Sequence, residues 1–294
     1  GVKKEKARKD KMGACCAARG GDREADLPAP TLSGNAFQKF ELSLPFARTY
    51  VDTFAKRVRA AADKLKMEKK GNGKTVTLEA LRAIFTTAAW ADLKTEDSRI
   101  CKLLSSDVFK AKSGGIDVDT LLLFAFLNCS GDVRHKSQVL FCVMQEGGPE
   151  KQKFISAGDK DIAPVISKLM HLTTVGLVKL MADVDDTHAM DLEDKESDID
   201  YAVEEMVELN YLDPLYGSNS KMSYMEWLEK SECAKQISQI WYTPQTVRML
   251  TFHRAGISAS DGVGADKKDF DDFAALCSSN KVNLTNESAD LNQA

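Results

Sequence analysis

"KSGGIDVDTLLLFAF", Lys112 to Phe126, is the stretch on which the fold turns. Two glycines make a polar turn, the β-branched Ile116 follows, and after a short polar step an apolar helix begins. The same plan recurs in "NGKTVTLEALRAIF" (Asn72 to Phe85), "QKFISAGDKDIAPVI" (Gln152 to Ile166) and "SNSKMSYMEWLEKS" (Ser218 to Ser231). Aligning the four units superimposes Val76, Ile116, Ile155 and Met222. Steps of 40 and 39 residues separate the first three, and 67 separate the last two. The longer step predicts an insertion at about residues 172–200.

Helical periodicity fills the spaces between these units: "FAKRVRAAADKL", "SRICKLLSSDVF", "SQVLFCVMQ" and "YAVEEMVELNYL". No sustained two-residue alternation occurs, so the expected fold class is all-α. Each turn–residue–helix unit needs a neighbour to bury its apolar face, and the steps of about 40 are close to the repeat of helix–loop–helix units; the resemblance to a known family that these units carry implies two lobes of paired units with short β-bridges between their loops. The expected boundaries are a disordered arm over 1–34, lobes over 35–130 and 131–252, and a polar tail over 253–294.

Composition narrows the function classes. At 294 residues the chain can bury a sizeable core, and its net charge of −4 gives no reason to expect a nucleic-acid partner. Seven cysteines without a C-x-x-C pair suggest reduced thiols and a cytoplasmic setting. The longest apolar runs fall well short of a membrane span. Cys101, Cys129, Cys142 and Cys233 lie on apolar helical faces, and no Cys or Ser is set beside a His and an Asp in a known motif. The chain therefore does not read as an enzyme. "GNGKT" at Gly71 to Thr75 ends like a phosphate-binding loop, but Glu68 stands where its first glycine belongs. The four histidines show no metal-ligand pairing. Met170, Met181, Met206, Met222 and Met225 could fill the core or line an adaptable partner groove.

With the repeat in view, the chain resembles the EF-hand superfamily, in particular four-hand regulators such as calcineurin B-like and neuronal calcium sensor proteins. The resemblance covers about residues 37–250 and rests on the phase of "GGIDVDTLL", "FISAGD" and "KMSYMEWL". It implies that Val76, Ile116, Ile155 and Met222 occupy the eighth loop position and join paired loops through a short β-bridge. It also implies a groove that receives an amphipathic helix of a protein partner. Met12 opens "MGACCAARGG", which is similar to the start of dually acylated flagellar calcium-binding proteins. Gly13 would carry myristate and Cys15 and Cys16 palmitate, adding contact with a membrane surface. Ala17 departs from that pattern, and residues 1–11, if retained, would block myristoylation of Gly13. A basic disordered arm is the plainer reading.

The calcium ligands carry over badly. Counted from the four anchors, loop position one falls on Lys69, Phe109, Gly148 and Leu215, and position twelve on Ala80, Thr120, Asp159 and Glu226. A calcium loop needs oxygens from most odd positions and a bidentate carboxylate at twelve. Only Asp159 and Glu226 supply the last. The densest acids lie elsewhere, in "DVDDTHAMDLED" at Asp183 to Asp194. There Asp183, Asp185, Thr187, Asp191 and Asp194 fall at positions one, three, five, nine and twelve, with His188 where glycine is usual. A second register, Asp185 to Glu196, restores Glu at twelve and loses position five to Ala189. Two readings stand: a weak Ca²⁺ or Mg²⁺ site, or an insertion whose acids favour the positive end of the helix that follows.

The expectation is thus a regulatory or scaffold protein whose loops are mostly empty of calcium. The alternatives are a Ca²⁺/Mg²⁺ sensor using Asp183 to Glu196, and a structural component of cilia or cytoskeleton. Its expected location is cytoplasmic, membrane-associated or ciliary.

Overall fold

The structure, a computed structural model, describes residues 26–144, 154–156, 162–184, 192–207, 221–233 and 244–257. It is mostly helical, as the periodicity predicts. Helix α1 (Ala36–Ser43) starts with a capping box, in which Asn35 accepts from the Gln38 backbone and the Gln38 side chain accepts from that of Asn35. Helix α2 (Val51–Met67) buries Val51, Phe54, Ala55, Val58, Ala61 and Ala62 on one stripe and turns its lysines outward.

Strand β1 (Thr75–Val76), helix α3 (Leu78–Ile84), helix α4 (Arg99–Ser105), strand β2 (Ile116–Asp117) and helix α5 (Val118–Asn128) complete the first lobe. The second comprises α6 (Val133–Met144), β3 (Phe154–Ser156), α7 (Ile162–Thr173), α8 (Val175–Val184), α9 (Glu196–Met206), β4 (Lys221–Ser223), α10 (Tyr224–Cys233) and α11 (Pro244–Arg254). Strands β1 and β2 pair antiparallel with Val76 opposite Ile116, and β3 and β4 with Ile155 opposite Met222. Among the described residues no single helix is long and apolar enough to cross a membrane.

Helix α5 buries nine of its eleven residues and forms the centre of one apolar core that runs through both lobes. Around it Phe54 stacks on Phe85 at 4.9 Å, Phe85 on Trp90 at 4.4 Å, and Phe46 meets Phe124 edge-on at 5.0 Å. The indole of Trp90 donates to Thr49 Oγ1, and that of Trp227 to the carbonyl of Ser137, both at 2.9 Å.

Two boundaries differ from the sequence reading. Asp26, assigned to the disordered arm, accepts from Thr87 Oγ1 and from the Ala89 amide, each at 2.6 Å, while the Leu27 amide donates to the Arg48 carbonyl. Ile257, assigned to the polar tail, is buried in the core. The arm before residue 26 and the tail after 257 lie outside the described residues.

A buried ion pair closes the fold. Arg248 on α11 donates from both terminal nitrogens to the Glu41 carboxylate on α1, at 2.8 and 3.2 Å. It also donates to the Thr173 carbonyl at the end of α7 at 3.2 Å and lies over the Phe37 ring at 4.6 Å. Both charged side chains are removed from water, so the fork of bonds must offset a large desolvation cost. Changing Arg248 to Met strands the Glu41 charge and should cost about 3–5 kcal/mol in urea unfolding, whereas adding Glu41→Leu to it should recover most of the loss.

Lys136 on α6 is a buried cation of a different kind, set against a carbonyl and an aromatic ring. Its ammonium donates to the Leu127 carbonyl at 3.3 Å and stands 5.9 Å from the Phe126 ring centre. Burial pushes its pKa down from 10.5 to about 8, only partly countered by Cys129, and burial pushes the Cys129 thiol up. Between these two values the unfolded chain keeps a proton on this lysine that the folded one has lost, so the contribution of Lys136 to stability rises with pH from about 8 to 10.5, while the raised Cys129 thiol acts in the opposite sense above its ordinary value of 9.0. Denaturant titrations should show Lys136→Met as the more stable of the two at pH 7, with the wild type gaining on it as the pH rises from about 8 to 10.5.

Candidate functional site

Three of the four loop anchors, Val76, Ile116 and Met222, are followed directly by a residue that caps the next helix. Thr77 accepts from the Ala80 amide at 3.1 Å and Asp117 from the Thr120 amide at 2.7 Å. Ser223 forms a complete box, in which its Oγ accepts from the Glu226 amide at 3.3 Å and Glu226 Oε2 accepts from the Ser223 amide at 2.6 Å. Loop position nine is therefore an N-cap and position twelve stands at the third residue of the helix. The signal was present in sequence as the T-x-x, D-x-x and S-x-x-E steps after these three anchors, where sequence reasoning weighed Glu226 as a metal ligand and did not read the caps.

The first-lobe loops are closed by their own hydrogen bonds. Helix α2 ends where Lys69 turns left-handed at φ 58°, with the Lys70 amide donating to the Leu65 carbonyl at 2.9 Å. Asn72 Oδ1 then accepts from the Lys74 amide at 2.7 Å and folds the rest of the loop. In the second loop the Ala111 amide donates to the Gly115 carbonyl at 3.0 Å, and the Gly114 amide to the Ala111 carbonyl at 2.9 Å. Gly115 has φ 77°, and a Cβ there would stand 3.1 Å from the Val76 carbonyl oxygen, so only glycine fits beside the bridge.

Asp117 also reaches the other lobe, accepting from Lys168 Nζ on α7 at 3.2 Å. Burial alone would push its carboxyl up, but the Thr120 hydrogen bonds and the Lys168 ammonium together hold it below the ordinary value. Its neighbour Asp119 is pushed up by burial and by the Asp117 charge.

The acidic stretch does not converge in its described part. Asp183 is exposed in the last turn of α8, Asp194 is exposed in a 3-10 turn (Glu193–Lys195), and Glu196 begins α9. Glu196 pairs with Lys179 of α8 at 2.9 Å, and Glu196 and Asp198 lie in the first turn of α9, where the helix dipole favours them. Asp185, Thr187, Asp191 and Asp159 lie outside the described residues. Among the described residues no three His, Cys, Asp or Glu side chains gather as a metal site.

Asp183 and Glu196 instead line an open cleft of about 870 Å³ between α4 and the α8–α9 pair, with Lys102, Asp107, His171 and Asp200. In it His171 Nε2 lies 3.5 Å from Asp200, and Asp107 at its edge pairs with Lys110 at 3.3 Å. Of the methionines, Met170, Met181, Met206 and Met222 are buried in the core, while Met225 is exposed. Cys101, Cys129 and Cys142 are buried and form no disulfide; the side chain of Cys233 and the acylation residues Gly13, Cys15 and Cys16 lie outside the described residues.

Comparison with family models, with curated proteins and with solved structures finds no match to this chain.

Because the Asp117 pKa is lowered, the stability from its cap and ion pair is complete above the ordinary carboxylate range and is lost as the pH falls through the lowered folded value, so Asp117→Ala should cost about 1–2 kcal/mol at pH 7. The gap to wild type should narrow as the pH falls through the carboxylate range, as denaturant titrations at pH 7 and pH 3 would record.

Proposed function

We propose that the protein is a degenerate EF-hand-like regulatory or scaffold subunit that binds an amphipathic helix of a partner protein and does so without calcium in its first-lobe loops. The observation that carries the reading is the register of the two short ladders, with Val76 opposite Ile116 and Ile155 opposite Met222. Paired helix–loop–helix units joined through one apolar residue per loop are what the sequence resemblance implies.

The closed loops support the calcium-independent form of the reading. A cation normally holds such a loop in shape by gathering oxygens around itself. Here the left-handed turn at Lys69, the Asn72 side chain and the Ala111–Gly115 bonds do that work. A ligand that makes no differential contact with two states cannot shift their balance, so a lobe already closed by its own bonds gains nothing from the ion.

Calorimetric titration of the full chain with Ca²⁺, alone and in millimolar Mg²⁺, tests the proposal. The expected result is no binding heat and no ion-dependent exposure of apolar surface to a reporter dye. Micromolar binding that Asp183→Asn with Asp185→Asn abolishes would replace the scaffold with a sensor acting through the acidic stretch.

A further inference from the structure

Positive charge gathers at the far end of α2. Between Lys56 and Lys74 the chain carries eight Lys and Arg against two acids, Asp63 and Glu68, in a protein whose net charge is −4. Lys64, Lys66, Lys69, Lys70 and Lys74 are all exposed, and Met67 stands among them with 78 % of its surface in water. One acid is already committed inside the cluster, since Glu68 pairs with Lys70 at 3.0 Å.

Local structure makes these residues one surface. The left-handed turn at Lys69 folds the loop back beside the helix end. There the Lys66 stem lies against Gly73, where an added Cβ would meet its Cδ at 3.0 Å, and Leu65 lies against Gly71. A helix C-terminus draws one or two cations to its dipole. It does not call for five lysines and an apolar side chain at their centre.

We infer that this pole, Lys64, Lys66, Lys69, Lys70 and Lys74 around Met67, is a docking surface for an anionic lipid bilayer. Ammonium groups on flexible stems respond to charge density rather than to a fixed shape, and four to eight of them on an amphipathic helix suit a phosphatidylserine-bearing surface. Met67 is placed to enter the headgroup layer while the lysine stems spread over it. The surface would also supply the second signal that a single acyl chain at Gly13 lacks, although the inference holds for the unacylated chain.

The test is co-sedimentation of the full unacylated chain with vesicles of phosphatidylcholine, with and without phosphatidylserine. Binding should require phosphatidylserine and weaken with salt. Changing Lys64, Lys66, Lys69 and Lys70 together to Gln should lower it at least about tenfold at an unchanged melting temperature. The pair Lys94→Gln with Lys102→Gln should leave it unaltered. In Met67→Trp the new indole's emission should shift to the blue on the anionic vesicles alone. Equal binding to neutral vesicles, or a quadruple variant that binds like the wild type, overturns the inference. So does capture by polyglutamate without vesicle binding, which assigns the pole to an acidic polypeptide. Binding to neither returns the lysines to service of the helix end.

Discussion

A ladder of two or three residues has little stability of its own, yet each lobe of this molecule is organised around one. The ladder persists because the residues on either side are fixed independently. Val76 and Ile116 are held on one side by loops that satisfy their own backbone groups, and on the other by helices whose first turns are capped by Thr77 and Asp117. Their side chains then enter the core, where burial rewards the pairing that the backbone alone would not hold. The second ladder repeats the arrangement with Ser223 and Glu226 as the cap.

Much of this was legible in sequence because it is local. A lone apolar residue between a polar turn and an amphipathic helix has a recognisable spacing, and four copies gave the pairing partners directly. The helices likewise follow from apolar periodicity, and α8 sits within the segment that the irregular 67-residue step left over. What sequence could not supply is non-local or depends on environment. Glu41 and Arg248 look like ordinary surface charges until 207 residues of chain bring them together. Lys136 lies in a helix whose polar first half gave no sign that its ammonium would be enclosed. Asp26 and Ile257 were misassigned because short polar surroundings conceal a single anchoring contact.

The acidic stretch illustrates the difference between composition and convergence. Spacing placed Asp183 and Glu196 in loop registers; in the fold one lies in the last turn of a helix and the other begins the next, paired with Lys179, and the residues between them lie outside the described part. The charge pattern across the chain is correspondingly divided, with acids beside α8 and α9 and lysines at the end of α2.

The clasp between α1 and α11 has a consequence for how the protein is made. Phe37 and Glu41 leave the ribosome well before their partners Phe252 and Arg248. At ordinary elongation rates of roughly 5–20 residues per second, the 207 intervening residues take roughly 10–40 s. During that interval the nascent chain carries a helix with an apolar face and an uncompensated carboxylate, both later sealed inside. The glutamate keeps that face soluble while it waits, and the arriving arginine cancels the charge as the last helix docks. A truncated product lacking α11 would retain the open face, and so would be marked chemically as unfinished.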